Sequence, residues 1–214
     1  MPLGKTDTLS LRDGSRVEVR PIRPEDKDLL VGAFKRLSED SRYRRFFQPV
    51  HSLSEDTLRF LTEVDHSDHE ALVAVESATG DALGVARYVR SQETASRAEV
   101  AVAVVDDWQR RGLGTELLER LVDRAREEEV THFTALVQAE NPKAVRVLSG
   151  LGATRRHHHG EEVELDIELP AGEGIGGGLS EALRGAASSA LHPRGTATRL
   201  FGRARQLYER ASPG

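Results

Sequence analysis

The sequence predicts an α+β fold, on three observations. Residues 98–105 are an apolar, β-branched run that ends at Asp106-Asp107, passes through a tight turn containing Gly112 and Gly114, and continues as a helical pattern through Leu117, Leu118, Leu121 and Val122. A buried strand running into a glycine turn and then a helix accounts for that order. Residues 71–75 and 82–89, on either side of Thr79-Gly80-Asp81, read as a hairpin next to that strand. In 163–169, Val163, Leu165, Ile167 and Leu169 alternate with Glu164, Asp166 and Glu168, the pattern of a strand with one face in a core and the other in water.

The remaining elements follow in chain order. Leu11-Arg12-Asp13-Gly14-Ser15 is a turn, and the alternation of residues 17–22 gives a half-buried strand. Pro24, Glu25 and Asp26 open a helix whose apolar positions Leu29, Leu30, Ala33, Phe34 and Leu37 keep helical spacing. Residues 38–47 mix aromatic and basic side chains; a helix packing Phe46 and Phe47 against the core is the favoured reading over a nucleic-acid contact. Ser54-Glu55-Asp56-Thr57 reads as a helix start, with Leu58, Phe60 and Leu61 on the packing face. After the helix from Gly112 to about Glu129 come a strand over 132–139, a helix from Asn141-Pro142-Lys143 to about Leu151, and strands over 153–159 and 163–169 joined through Gly160.

Composition narrows the function. The 214 residues are 38% hydrophobic and 30% charged with a net charge of −5, which describes a globular protein with no general affinity for nucleic acid. The absence of cysteine excludes disulfides, thiolate zinc sites and a cysteine nucleophile. No membrane span or signal peptide is expected, since no apolar run reaches about 18 residues, and a cytoplasmic location is the default. His157-His158-His159, and His66 with His69, invite a metal, but an alternating strand turns the middle imidazole away from its neighbours, so no metal is expected.

The chemistry concentrates at the glycine turn. Two glycines one residue apart let backbone N–H groups converge, and the helix starting there adds the positive end of its dipole, which together cradle phosphate. Arg110 and Arg111 bring fork-shaped cationic donors suited to a pyrophosphate or a ribose phosphate. The turn is neither the three-glycine dinucleotide fingerprint nor a P-loop.

The run Gln109-Arg110-Arg111-Gly112-Leu113-Gly114 resembles the acyl-CoA-binding Q/R-x-x-G-x-G/A turn of the GNAT superfamily of N-acetyltransferases, and the strand before it and helix after it stand in that family's order. Leu11-Arg12-Asp13-Gly14, Arg20-Pro21-Ile22-Arg23-Pro24-Glu25-Asp26, Ser41-Arg42-Tyr43-Arg44-Arg45-Phe46-Phe47, Leu83-Gly84-Val85-Ala86-Arg87-Tyr88 and Ala98-Glu99-Val100-Ala101-Val102 are similar to the acetyltransferase domain of bacterial protein lysine acetyltransferases of the Pat type. These segments cover most of residues 9–153. Larger members of that group add an acyl-CoA-synthetase-like or cyclic-nucleotide-binding region, for which this chain is expected to leave no room.

The resemblance implies a GNAT fold: a mixed, mostly antiparallel sheet with a splayed parallel pair, flanked by helices. It implies acetyl-CoA as co-substrate and a primary amine as acceptor, a protein lysine or a small amine, with a non-catalytic acyl-CoA-binding module as the alternative. It places the cofactor turn at Gln109, Arg110, Arg111, Gly112, Gly114 and Thr115, and sets main-chain groups of Val102 and Val104 against the pantetheine arm. Asn141 matches a position that contacts CoA, with a plain helix cap as its competing role. Glu99 matches the general base; by alternation it shares a face with Ala101, Ala103 and Val105, an apolar setting that raises a carboxyl pKa. Many GNAT enzymes carry a tyrosine seven residues after the asparagine as general acid; Leu148 stands there, so no general acid is assigned.

The domain boundaries are then 1–170 for the catalytic domain, 171–178 for a glycine-rich linker and 179–214 for a basic tail. That tail carries +4, leaving −9 on the remainder. Leu200, Phe201, Ala204, Leu207 and Tyr208 fall at helical spacing in it, which makes it a candidate homodimer contact or a loosely ordered segment.

Overall fold

A computed structural model describes residues 6–11 and 13–171. The linker beyond residue 171, the basic tail and the candidate homodimer contact expected of it lie outside the described residues. Eight strands form one sheet: β1 (Asp7–Ser10), β2 (Arg16–Pro21), β3 (His69–Glu76), β4 (Ala82–Arg90), β5 (Arg97–Val104), β6 (His132–Gln138), β7 (Ala153–His159) and β8 (Glu162–Glu168), in the spatial order β1-β2-β3-β4-β5-β6-β8-β7. Five α-helices pack on it: α1 (Lys27–Lys35), α2 (Glu39–Phe46), α3 (Glu55–Thr62), α4 (Leu113–Glu127) and α5 (Pro142–Ser149).

The predicted elements recur with small boundary shifts, and two features differ. The helix expected from Pro24 begins as a 3-10 turn over Pro24–Asp26, because the Asp26 carboxylate accepts from the Arg23 amide at 2.8 Å and pairs with both Arg20 nitrogens at 2.7 Å. β1 was not predicted: Asp7-Thr8-Leu9-Ser10 carries a single apolar residue, and it is a strand because it pairs antiparallel with β2. The turn between the two is the expected one, closed by Gly14 N–H to the Leu11 carbonyl at 2.9 Å.

Alternation along β3 sorts the helices onto two faces. Leu72 and Ala74 join the larger core, which α4 fills with Leu113, Leu117, Leu118, Leu121 and Val122. Ala71 and Val73 point the other way, into a second cluster with Leu30 of α1 and Leu58 and Leu61 of α3. α2 lies against β5 on that second side. α5 packs on β6 and β8 and adds Leu148 to the larger core.

Every neighbouring pair is antiparallel except β5–β6. That parallel pairing holds only at Arg97↔His132, Ala98↔Phe133 and Glu99↔Thr134, although β5 continues to Val104 and β6 to Gln138. Beyond Glu99 the two strands part, and the sheet opens from there to the glycine turn.

A buried ion pair ties α4 to β3. Glu70 and Arg124 are both nearly inaccessible, and Arg124 Nε donates to Glu70 Oε2 at 2.9 Å. Glu70 Oε1 also meets His66 Nδ1 at 2.8 Å and accepts from the Ala71 amide at 2.9 Å, so the carboxylate is fully partnered.

Candidate active site

The site lies where β5 leaves β6. The Val105 N–H donates to the Leu83 carbonyl of β4 at 2.9 Å. Main-chain groups alternate in direction along a strand, so those of Val104 and Val102 turn away from β4 and into the opening. No β6 residue is in register there, and buried backbone groups require partners. The opening therefore presents the edge of β5 to an extended ligand, with, among the described residues, the Val104 carbonyl alone already accepting, from Gln109.

At its lower end the chain turns into α4. Gly112 is the N-cap with φ +92° and no side-chain cap. A Cβ there would meet nothing within 4 Å, so the positive φ is what calls for glycine. The first hydrogen bond of the helix is Glu116 N–H to the Gly112 carbonyl at 3.1 Å. The amides of Leu113, Gly114 and Thr115 find no acceptor among the described residues, as expected of a helix start, and they converge at the positive end of the α4 dipole. Arg110 (φ +66°), two residues before the helix cap, is exposed and makes no hydrogen bond or ion pair among the described residues. This arrangement fits a diphosphate.

Two residues of the motif are engaged within the protein. The Arg111 guanidinium lies over the Trp108 ring at 4.6 Å, donates to the Asp107 carbonyl at 2.8 Å and pairs with Asp13 at 3.0 Å. Gln109 Nε2 donates to the Val104 carbonyl at 3.1 Å, to Asp106 Oδ1 at 3.0 Å and to Ser41 Oγ at 3.2 Å. The same Asp106 accepts from the Ser38 amide at 3.0 Å and the Ser41 hydroxyl at 2.6 Å, so the glycine turn is fastened to the start of α2. Burial alone would raise the Asp106 carboxyl, but these bonds outweigh it and hold its pKa below the ordinary value.

Glu99 occupies the last rung before the strands part, opposite Thr134 of β6 and Val89 of β4. Its neighbours Ala98 and Val100 are buried in the α4 core, so Glu99, Ala101 and Ala103 face α1 and α2. The carboxyl makes no hydrogen bond or ion pair among the described residues. Burial pushes its pKa up to about 7, and the opposing field of Arg45 on α2 does not offset this. A carboxyl poised near neutrality can take a proton from an amine under physiological conditions.

Asn141 is the N-cap of α5, its Oδ1 accepting from the Ala144 amide at 3.1 Å. Leu148 is buried in the larger core, so its position offers no acid.

The histidines are separated in space by role. His66 pairs with Glu70; His69 meets Arg87 Nη1 at 3.1 Å and stacks on Phe60 at 4.8 Å. Burial, reinforced by the Arg87 cation, pushes His69 down to about 3, so its imidazole is neutral. His157 to His159 lie on the exposed edge strand β7, with His159 Nε2 at 3.4 Å from Glu164. Among the described residues no three His, Asp or Glu side chains are grouped to hold a metal ion.

The residues that sequence reasoning missed are Ser41, Arg45, Arg87 and Asp106. Arg87 is only 5% exposed and donates to the Leu61 carbonyl at 3.1 Å. Each lies in a stretch read for its family likeness or as a strand boundary, and none is marked by periodicity.

A mixed sheet whose parallel pair opens over a glycine turn at the start of a helix is the GNAT fold. The chain belongs to that family: the model described as acetyltransferase (GNAT) domain matches residues 16–154. Acetyltransferase Pat of Mycolicibacterium smegmatis is 33% identical over 76% of this chain, which spans about half (48%) of that relative's length. An acetyltransferase of Pseudomonas aeruginosa is 33% identical over 65% of this chain and 75% of its own. The crystal structure of the GNAT domain of S. lividans PAT superimposes with a TM-score of 0.72 at 31% identity, covering 79% of this chain and 99% of that one. The chain thus belongs to the GNAT family and is similar to Pat over its described domain.

Proposed function

We propose that the protein transfers an acetyl group from acetyl-CoA to the ε-amine of a protein lysine. The observation that carries this reading is Glu99, a carboxyl with a pKa of about 7 and no hydrogen bond or ion pair among the described residues, set at the mouth of a strand opening that ends in helix amides unpaired among those residues. In this reading the amides of Leu113, Gly114 and Thr115, with Arg110, hold the diphosphate of CoA. Val102 and Val104 pair with the pantetheine arm through their main chain, and Gly112 shapes the turn. Gln109 and Arg111 serve by bracing the turn from behind. Asn141 caps α5 at the end of β6.

The free amine attacks the thioester carbonyl carbon while its proton passes to Glu99, and an N–H directed into the opening steadies the oxygen as charge develops. A lysine ammonium has a pKa of about 10.4, so base assistance is needed near neutral pH. Thiolate departure needs no side-chain acid in this scheme, consistent with Leu148 in the core.

The choice of a protein lysine over a small amine follows from the resemblance of residues 9–153 to protein lysine acetyltransferases of the Pat type. The test is to follow CoA thiol release and amide formation with acetyl-CoA, comparing lysine-containing peptides and intact proteins with small amines such as spermidine. Turnover on peptide or protein lysine supports the proposal. Turnover confined to small amines overturns the acceptor, and no heat of binding with any CoA ester overturns the whole reading.

A further inference from the structure

We infer that Thr134 is a second residue of the site to touch the acceptor: its hydroxyl oxygen accepts one N–H of a primary amine, and through that contact the site tells an unmodified lysine from an Nε-methylated one. The inference rests on the reading of Glu99 as the base.

Thr134 stands directly across the last β5–β6 rung from Glu99. Phe133 and Ala135 beside it are buried in the larger core, as Ala98 and Val100 are beside Glu99, so both side chains leave the sheet on the same face. Along the rung, Val89 of β4 brings no polar group, and Asp166 of β8 is held by Arg97 at 2.5 Å. On β5 the next residues of this face are Ala101 and Ala103. Thr134 is thus the neutral polar side chain in register with the carboxyl.

The hydroxyl is set to accept. Thr134 Oγ1 donates to the Ala98 carbonyl at 3.5 Å. A hydroxyl carries one proton and two lone pairs, so with its proton directed at the main chain the oxygen is left as an acceptor. Neighbouring strands run about 4.8 Å apart. Two oxygens each about 2.9 Å from one tetrahedral nitrogen lie about 4.7 Å apart. A single amine nitrogen therefore bridges the Glu99 carboxylate and the Thr134 hydroxyl.

A neutral primary amine has two N–H groups and one lone pair. With an N–H on each oxygen, the lone pair points away from both and is free for the thioester carbonyl. A secondary amine has one N–H, which Glu99 takes, and Thr134 then loses its partner. Because the hydroxyl is neutral, it makes this contact without the like charge that would lock a proton on Glu99. In the transfer the nitrogen bonds to the acetyl carbonyl carbon, and the C–S bond breaks with its electron pair leaving on the CoA sulfur. The proton facing Glu99 passes to the carboxylate, and the other stays on the amide nitrogen beside Thr134.

The test follows CoA thiol release from acetyl-CoA by the full chain, with a peptide carrying one lysine and the same peptide carrying Nε-methyl-lysine. n-Butylamine and N-methylbutylamine form a second pair. The parent is expected to prefer the primary amine of each pair about tenfold in kcat/KM. Thr134→Val is expected to lose about tenfold on the primary amines and less than about twofold on the methylated ones, so that the preference disappears. Its Kd for acetyl-CoA, read by calorimetry, stays within about twofold of the parent, its acid limb stays centred near pH 7, and Thr134→Ser recovers most of the loss. Thr134→Ala serves if the first variant does not fold. A parent without the preference, equal losses on both amines, a loss of acetyl-CoA affinity that matches the loss of turnover, or no loss at all overturns the role of Thr134 alone. A parent that acetylates neither pair, or a Glu99→Gln variant that turns over like the parent, overturns instead the reading beneath it.

Discussion

In the proposed reading, Glu99 gives the site its pH dependence. Its pKa of about 7 comes from burial, so the base is ionised only as pH rises through that value. We expect kcat/KM to climb from about pH 5.5 to a plateau near pH 8 with a midpoint close to 7, and Glu99→Gln to lose on the order of 10²–10³ in rate along with that limb. The linkage to stability runs the opposite way. A carboxyl whose pKa is raised in the folded state favours folding when protonated, and this contribution is lost as pH rises through 7. Glu99→Gln should therefore melt no lower than the parent at pH 8; a lower melting temperature would mark Glu99 as a structural ion-pair member and remove it from the base role. Glu99 and its apolar face were legible because strand alternation is a local rule. Arg45 and Arg87 were not, because the burial of a cation depends on which helix closes over it, and no spacing in the chain records that.

At the scale of elements, most helices and strands could be read directly, since period 3.6 and period 2 are visible in single segments. β1 escaped because a four-residue strand with one apolar side chain gains its order from its partner. The corner joining α5 to β7 turns on Gly152, whose packing belongs to the folded sheet and not to the local sequence. A Cβ on Gly152 would stand 2.0 Å from the Glu168 carbonyl oxygen, so the turn packs directly on the backbone of β8. Gly152→Ala is expected to cost about 3 kcal/mol, read as a fall in the urea midpoint at constant m. An unchanged midpoint would mean the corner is free to shift. The α5 cap shows the limit of residue-type reasoning: Asn141 was equally suited to capping and to cofactor contact, and its 3.1 Å bond to the Ala144 amide places its oxygen in the cap.

For the molecule as a whole, the strand order could not be read from the chain, because β8 inserts between β6 and β7 and pairing across the sheet joins segments far apart in sequence. The opening between β5 and β6 is likewise a property of two strands and appears in neither alone. A ligand that lies in it adds partners that only the folded state offers. CoA at about 100 times its Kd should therefore stabilise the protein by ~2.7 kcal/mol, a rise of about 5–10 °C in Tm for a domain of this size, readable by a thermal shift assay. No rise would mean that CoA does not bind the folded protein. The Asp106 carboxylate has a further mechanical meaning. It grips Ser38 and Ser41 on one side and Gln109 on the other, so it acts as a pivot pin between α2 and the glycine turn. A rocking of the helix bearing Arg45 must therefore either break these bonds or carry the turn with it.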